Sequence, residues 1–295
     1  MPVLVYSDAY NITACGLEGL HPFDSTKYSR VVCFLRENGG VASTVAPVSL
    51  PRWMELHYMS YWYRARLSFA LWQAAVFEVP PVAFLPSFLT RWRVLEPMRL
   101  AAGGSLAAVD VAIGELRRWE GSGEPRDWFG GLAVNCSGGY HHASARFGHG
   151  FCAFPDIPLA LRYAAGRLQL GRPFRALVVD LDVHQGDGTA KDVSDPALFP
   201  PAAFEITCVD FFNPDLFPAD RDAESRTAFP VHVLCGGQDT HYNKLLARML
   251  PGVVQESDPD LVLYNAGTDV LRGDPLGGGV ALSPKGIRDR DAIVL

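Results

Sequence analysis

Two aspartates and a histidine follow an apolar run in the second half of the sequence. Val178 and Val179 lead into Asp180, Asp182 and His184, which occupy alternate positions. Side chains alternate along an extended backbone, so these three groups are predicted to point to the same side. A carboxylate and an imidazole two residues apart can bind one divalent ion. The pattern therefore favours a metal or catalytic site over its alternative, a polar loop in water.

A second apolar run also ends in an acid. Residues 261–264 are mainly apolar and lead through a turn of small residues to Asp269. A lone aspartate after a strand is more often a turn former or a helix cap than a ligand. Asp269 becomes a candidate ligand only because the first run offers the rest of a site.

Two adjacent histidines, His141 and His142, follow the turn at Gly138 and Gly139. Histidine is the usual general acid or base near neutral pH. An isolated pair is more often partly buried and satisfied by hydrogen bonds than catalytic. The pair becomes a catalytic candidate because two other strand ends carry chemically useful groups.

These groups together indicate a metal-dependent reaction. Two aspartates and one histidine can hold zinc and leave room for water and substrate. Zinc would polarise a carbonyl and activate the water. The remaining acids, Asp180 and Asp187, could orient the two histidines and tune their basicity. The predicted chemistry is metal-assisted hydrolysis of an amide.

The elements that must position these groups follow an α/β pattern. After residue 126, short apolar runs alternate with helical stretches, which predicts a parallel sheet with helices on both faces. Functional groups in such sheets gather at the carboxyl ends of the strands. The first third is predicted to be mostly helical. The predicted strands are 132–135, 176–179, 204–209, 231–234 and 261–264. The predicted helices are 60–76, 105–119 with Ser105 as its N-cap, and 156–170 capped by Asp156. Residues 79–87 are predicted to form a loop, and residues 120–126 a polar turn or small insertion.

Composition limits the classes of function. Of the 295 residues, 48% are hydrophobic and 20% are charged, which excludes wholesale disorder. The net charge of -6 argues against direct nucleic-acid binding. The six cysteines form no C-x-x-C pair, so they are expected to be reduced. We see no signal peptide and no run long enough to span a membrane, and we expect a nuclear or cytoplasmic protein.

Taken in order, several segments resemble the histone deacetylase family, and the likeness covers nearly the whole chain. The central motifs are residues 137–143 (SGGYHHA), 150–152 (GFC), 179–189 (VDLDVHQGDGT) and 265–269 (NAGTD). The segments most similar to the class IV branch are 10–13 (YNIT), 21–24 (HPFD), 79–86 (VPPVAFLP), 273–278 (GDPLGG) and 282–284 (LSP).

The resemblance implies a single catalytic domain over residues 1–295. Its fold would have three α/β/α layers with a mainly parallel central sheet, the arginase/deacetylase type. Its activity would be zinc-dependent removal of acetyl or longer acyl groups from lysine side chains of proteins such as histones. The implied zinc ligands are Asp182, His184 and Asp269. His141 and His142 would be the general acid/base pair, with Asp180 behind His141 and Asp187 behind His142.

The resemblance also implies how substrate binds. Gly150 would offer its backbone carbonyl to the substrate amide. Phe151 and Phe217 would wall a tunnel for the acyl-lysine side chain, and Leu276 would lie at its rim. A structural potassium ion is implied near residues 180–184.

One departure from the family pattern concerns the end of the sequence. The family places a Gly-Gly-Tyr beyond the Gly273 region, and its tyrosine hydroxyl stabilises the oxyanion. No such motif follows Gly273 here, and the sequence ends at Leu295. This predicts that the last strand and helices are missing. The alternative function is an impaired pseudo-enzyme that binds acyl-lysine or protein. A third interpretation is an arginase-type site with two manganese ions.

Overall fold

Residues 3–40, 44–122, 131–236 and 238–295 are described by the computed structural model. The chain divides into two units, Met1–Leu168 and Gln169–Leu295, and each contains a parallel sheet of its own. The prediction of one catalytic domain over residues 1–295 is not tested by this division and stays a prediction.

The first unit is built on a short parallel sheet. Strand β1 (Val3–Val5) lies between β2 (Thr44–Val45) and β3 (Ala133–Asn135), and all pairings are parallel. Leu4 and Val5 are buried, as expected for the central strand of such a sheet. Its α-helices are α1 (Lys27–Glu37), α2 (Arg52–Tyr58), α3 (Tyr61–Leu67), α4 (Ala70–Val76), α5 (Ser87–Thr90), α6 (Glu96–Ser122) and α7 (Asp156–Leu168). The unit also contains short 3-10 segments at Asp8–Tyr10, Leu17–Leu20 and Pro80–Phe84 and a π segment at Arg91–Leu95.

The long helix α6 corrects one prediction. Ser105 lies inside α6 and is not its N-cap; its hydroxyl donates to Asp156 at 2.5 Å. The pair Gly103 and Gly104 suggests a helix break, but here it permits close packing. A Cβ on Gly103 would lie 1.8 Å from the carbonyl oxygen of Val48, so glycine is required for this close approach of the two backbones.

Other predicted boundaries in this unit also shift. Residues 79–87 contain the 3-10 segment Pro80–Phe84 rather than only a loop. The predicted polar turn at 120–126 overlaps the end of α6, and residues 123–126 lie outside the described residues. Helix α7 begins at Asp156, whose carboxylate accepts the N–H groups of Gly139 and Tyr140 at 2.9 and 2.8 Å. Asp156 therefore anchors the turn before the histidine pair.

The second unit contains a parallel sheet with the order β6-β5-β4-β7. Its strands are β4 (Phe174–Asp180), β5 (Phe204–Phe212), β6 (Phe229–His232) and β7 (Leu261–Asn265). Each matches a predicted strand within a few residues. The helices are α8 (Asp187–Val193), α9 (Arg221–Arg226), α10 (Asp239–Ser257) and α11 (Pro284–Val294). No helix in the described part of the chain is long and apolar enough to cross a membrane.

A continuous apolar core supports the centre of this sheet. Val179 and Leu181 on the β4 side pack with Val209 and Phe211 of β5. Helix α10 covers them through residues such as Leu246. Well-packed interiors yield little to local strain. The carboxyl end of β4 therefore extends from a well-packed core.

Candidate functional site

The carboxyl ends of β4 and β7 bring the three predicted ligands together. The two strands are neighbours, with Asp180 in register with Asn265. The loops that follow carry Asp182, His184 and Asp269, and one potential ligand atom from each lies within 4.8 Å of the others. All three side chains are half-buried. The candidate site thus combines residues from two distant segments at the carboxyl end of the sheet.

Hydrogen bonds hold these side chains in place. His184 Nδ1 lies 3.1 Å from Asp182 Oδ1 and 2.9 Å from Asp269 Oδ2. The backbone N–H of Val183 donates to Asp269 Oδ1 at 2.9 Å, and that of His184 donates to Asp182 Oδ1 at 2.9 Å. Each carboxylate is therefore oriented by the backbone of the loop after β4.

The two carboxylates of the cluster stabilise positive charge between them. Burial alone would lower the pKa of His184, but hydrogen bonds to Asp182 and Asp269 outweigh it and raise the pKa to about 9. Burial, followed by the negative charge of Asp182, raises the pKa of the Asp269 carboxyl. Two carboxylates in a partly desolvated place need a compensating positive charge.

The donor set fits zinc. Two carboxylate oxygens and one imidazole nitrogen are ordinary zinc ligands, and three protein ligands leave a position for water or substrate. Gly267 allows the two loops to meet, since a Cβ there would lie 2.4 Å from Asp182 Cα. Asp182, His184 and Asp269 are the residues that would hold the ion.

Two more predicted acids lie beside this loop. Asp180 and Asp187 are both buried. Asp180 Oδ1 accepts from Asn265 Nδ2 at 2.9 Å and from the N–H of Asp182 at 3.2 Å. Asp187 is the first residue of α8. The role of Asn265 was missed, although it stands in the same motif as Asp269.

A small cavity lies next to Asp180. Its volume is about 10 Å³, roughly one water-sized sphere, and Asp180, Thr189 and Asp210 are among its lining residues. The backbone N–H of Gly186 donates to Asp210 Oδ2 at 2.9 Å. Asp210 was not singled out in the sequence, because an acid near the end of a strand carries no distinctive spacing.

The histidine pair belongs to the first unit. His141 and His142 are buried, and their ring centroids are 4.1 Å apart. The ring of His149 lies 5.4 Å from that of His142, a contact the sequence analysis missed. A Cβ on Gly150 would lie 2.4 Å from His142 Cδ2, and the φ of Gly150 is +52°. Backbone thus approaches the His142 ring at a position that suits glycine.

The predicted tunnel residues are distributed between the units. Phe151 has a φ of 62°, and its ring lies 4.9 Å from Phe23 and 6.0 Å from Phe77. Phe217 and Leu276 belong to the second unit, where Phe217 is 45% exposed and Leu276 is half-buried. The tunnel itself, like the pairing of each histidine with its aspartate, joins residues of different units and stays a prediction.

Comparison with known proteins identifies the family. Residues 21–295 match the histone deacetylase domain family. The chain belongs to the histone deacetylase family. It is 37% identical over 290 residues to histone deacetylase 2 of Arabidopsis thaliana, covering 98% of this chain and 68% of that protein. It is 31% identical over 164 residues to histone deacetylase 8 of Xenopus laevis, covering 53% of this chain and 47% of that protein.

A solved structure supports the fold of this member of the histone deacetylase family. The crystal structure of the HDA15 HD domain aligns with a TM-score of 0.68 at 17% identity, covering 100% of this chain and 80% of that one. The predicted α/β fold of arginase/deacetylase type is therefore confirmed, as is the predicted family. By its membership the protein is a hydrolase of the lysine deacetylase type, a family that is zinc-dependent in general.

Proposed function

We propose that this protein removes acyl groups, acetyl or longer, from lysine side chains of proteins such as histones. One zinc ion, held by Asp182, His184 and Asp269, serves the reaction. The observation that carries the proposal is the convergence of these three donors at the ends of neighbouring parallel strands. Membership of the histone deacetylase family supports it independently.

The zinc ion and the side chains of the protein have separate roles in the proposed reaction. When bound, zinc supplies Lewis acidity to an amide carbonyl and acidifies a water. His141 and His142 serve as the general acid/base pair, taking a proton from the water and delivering one to the leaving lysine amine. Asp180 and Asp187 orient the imidazoles and keep them basic. Burial of both histidines supports this role, because it restricts proton exchange with bulk water.

Substrate recognition is assigned to four further residues. The carbonyl of Gly150 binds the substrate amide, Phe151 and Phe217 flank the acyl-lysine side chain, and Leu276 lies at the rim. The aromatic packing of Phe151 against Phe23 supports a rigid wall. The net charge of -6 suits a basic peptide substrate and argues against direct nucleic-acid binding.

Four finer assignments complete the proposal. We assign the chain to the class IV branch and place it in the nucleus, the cytoplasm or both, with a role in chromatin regulation. We also assign a structural potassium ion near residues 180–184. The small cavity lined by Asp180 and Asp210 supports a site for one ion or water there.

The test measures metal content and turnover together. Native mass spectrometry of the folded chain is expected to show one zinc per chain, and acyl-lysine peptides of increasing acyl length are expected to be hydrolysed. Asp269→Asn should lose both properties. Asp289→Asn, whose exposed carboxylate pairs with Lys285, is the matched control and should keep both.

Other results of the same measurements would contradict the proposal, and two of them would favour a different function. Two metal ions per chain would favour the arginase-type site. One zinc with inhibitor binding but no hydrolysis would favour the acyl-lysine binding module. A folded chain that binds no zinc would overturn the proposal.

A further inference from the structure

A buried arginine bridges the two loops that carry the proposed zinc ligands. Arg290 of α11 has no exposed surface. Its Nη1 donates to the carbonyl oxygen of Leu181 at 3.2 Å and to that of Gly267 at 2.6 Å. Leu181 directly precedes Asp182, and Gly267 lies two residues before Asp269. One guanidinium nitrogen therefore links the backbones of both loops.

The other side of the guanidinium is held by a second set of contacts. Nε and Nη2 of Arg290 lie 2.9 and 2.7 Å from Asp291 Oδ1. The same oxygen accepts from the hydroxyl of Tyr264 at 2.5 Å. The ring of Tyr264 lies 6.0 Å from the guanidinium carbon. Since Tyr264 belongs to β7, helix α11 is tied to the strand as well as to the loops.

The chemistry of arginine suits this place better than that of lysine. A guanidinium presents several N–H donors in a rigid plane, so its two sides can bind different partners at fixed angles. A fully buried charge is costly unless it is paired and hydrogen-bonded. A positive charge near the ligand loops does not attract a metal cation. The contribution of Arg290 to a metal site is therefore geometric.

We propose that Arg290 is a positioning residue for the zinc site. By holding the carbonyls of Leu181 and Gly267, it sets the separation of the two loops and hence of Asp182 and Asp269. The inference rests on the proposed zinc site and extends it to a residue that touches neither zinc nor substrate.

The test compares zinc affinity with thermal stability in two Arg290 variants. Outer contacts of metal ligands typically contribute about 10- to 100-fold in affinity, so Arg290→Met is expected to weaken zinc binding by that factor. Arg290→Lys keeps the charge and one donor group, so it should bind zinc more tightly than Arg290→Met but less tightly than wild type. The zinc Kd is measured by competition with a chelator.

A spectroscopic measurement separates positioning from general destabilisation. Cobalt replaces zinc in the same site, and its visible absorption reports the number and arrangement of ligands. Both Arg290 variants are expected to show an altered cobalt spectrum. Tyr264→Phe, which leaves Arg290 in place but removes one bond to Asp291, should show a smaller change in spectrum and in zinc Kd.

Arg99→Met is the matched control. Arg99 is also buried and binds two carboxylates, those of Glu55 and Glu96, but it belongs to the first unit. Its replacement is expected to lower the melting temperature. The zinc Kd and the cobalt spectrum should stay the same as in wild type. Variants of Arg290 that melt earlier but keep both wild-type properties would overturn the inference.

The remaining outcomes are also decisive. If Arg290→Met does not fold, the same comparison is made with Arg290→Lys and Tyr264→Phe, and wild-type affinity and spectrum in both would overturn the inference. Failure of the zinc site itself would show in the wild-type chain, which would bind no zinc, and the inference would fall with it.

Discussion

The backbone N–H groups of Val183 and His184 orient the carboxylates of Asp269 and Asp182 in the candidate site. Asp269 uses one carboxylate oxygen for the N–H of Val183 and turns the other toward His184. In the proposed function Asp269 serves the ion and His142 serves proton transfer, so single-residue changes can separate the two.

His142→Ala tests proton transfer. Removing this imidazole is expected to lower the hydrolysis rate by about 100- to 10,000-fold, the usual contribution of a general acid or base. Zinc should remain bound, because His142 is assigned to proton transfer and not to the metal. The rate is measured with an acyl-lysine peptide and the zinc by native mass spectrometry. Loss of zinc in this variant would show that the ligand assignment is wrong.

Gly267→Ala tests the contact between the ligand loops. The added Cβ would lie 2.4 Å from Asp182 Cα and 2.6 Å from Asp182 Oδ2, so the loops must separate. We expect weaker zinc binding and a lower melting temperature.

Gly252→Ala is the control for this change. Gly252 lies inside α10, and an added Cβ there meets no atom within 4 Å. Alanine is favoured over glycine in a helix by about 0.5–1 kcal/mol, so this variant should melt slightly later with unchanged zinc affinity. Equal zinc affinity in the two variants would contradict the role given to Gly267.

At the scale of elements, β4 and β7 are joined at both ends. The site lies past their carboxyl ends, while Asp260 joins their amino ends. Asp260 accepts two N–H groups of Arg172, at 2.8 and 2.5 Å, and the backbone N–H of Arg175 at 2.9 Å. Its own N–H donates to the carbonyl of Arg175 at 2.8 Å. This cluster helps to set the register of the two strands that precede the candidate ligands.

Asp260→Asn tests this cluster through its pH dependence. The hydrogen bond to Arg172 holds the pKa of Asp260 below its ordinary value of 3.8. A carboxyl with a depressed folded-state pKa stabilises the protein above 3.8, and that stabilisation is lost as the pH falls through the lower folded-state pKa. At neutral pH the variant should lose about 1 kcal/mol of unfolding free energy.

Denaturant titrations across the pH range measure the effect. The difference between wild type and Asp260→Asn should shrink as the solution is acidified below the ordinary aspartate pKa. A difference that is independent of pH would show that packing, and not the charged hydrogen bonds, explains the loss.

At the scale of the whole molecule, the proposed zinc ion joins segments that are distant in sequence. His184 and Asp269 are separated by 85 residues. Such a site exists only in the folded second unit, so zinc should bind the folded chain in preference to the unfolded one. Zinc at 100 times its Kd is expected to add about 2.7 kcal/mol to the unfolding free energy.

Thermal melting with zinc and with a chelator measures this effect. Hydrogen exchange should locate it at the ends of β4 and β7, with little change in the sheet formed by β1, β2 and β3. A melting temperature that is the same in zinc and in chelator would contradict a zinc site in this unit.

Much of the secondary structure could be predicted from local sequence. Strands β4 and β7 are short apolar runs between polar turns. Strand β4 has that composition because it is buried between two neighbours and covered on both faces, whereas the edge strand β7 is only half-buried. The acids after these runs were recognisable by their spacing, since Asp180, Asp182 and His184 occupy alternate positions and Asp269 closely follows a second apolar run. Asp182, His184 and Asp269 were therefore candidates before any fold was known.

Other features depended on tertiary contacts. Ser105 is a good N-cap residue, yet it lies inside α6, where its hydroxyl donates to Asp156, a residue 51 positions away in the chain. Arg290 sits in an ordinary helical segment, and nothing in its neighbours indicates that it binds two distant carbonyl groups. Local sequence specifies where strands and ligands occur, because burial and backbone preference act over a few residues. Strand order decides which candidate ligands meet, because the pairing of β4 with β7 brings residues so far apart in the chain to the same end of the sheet.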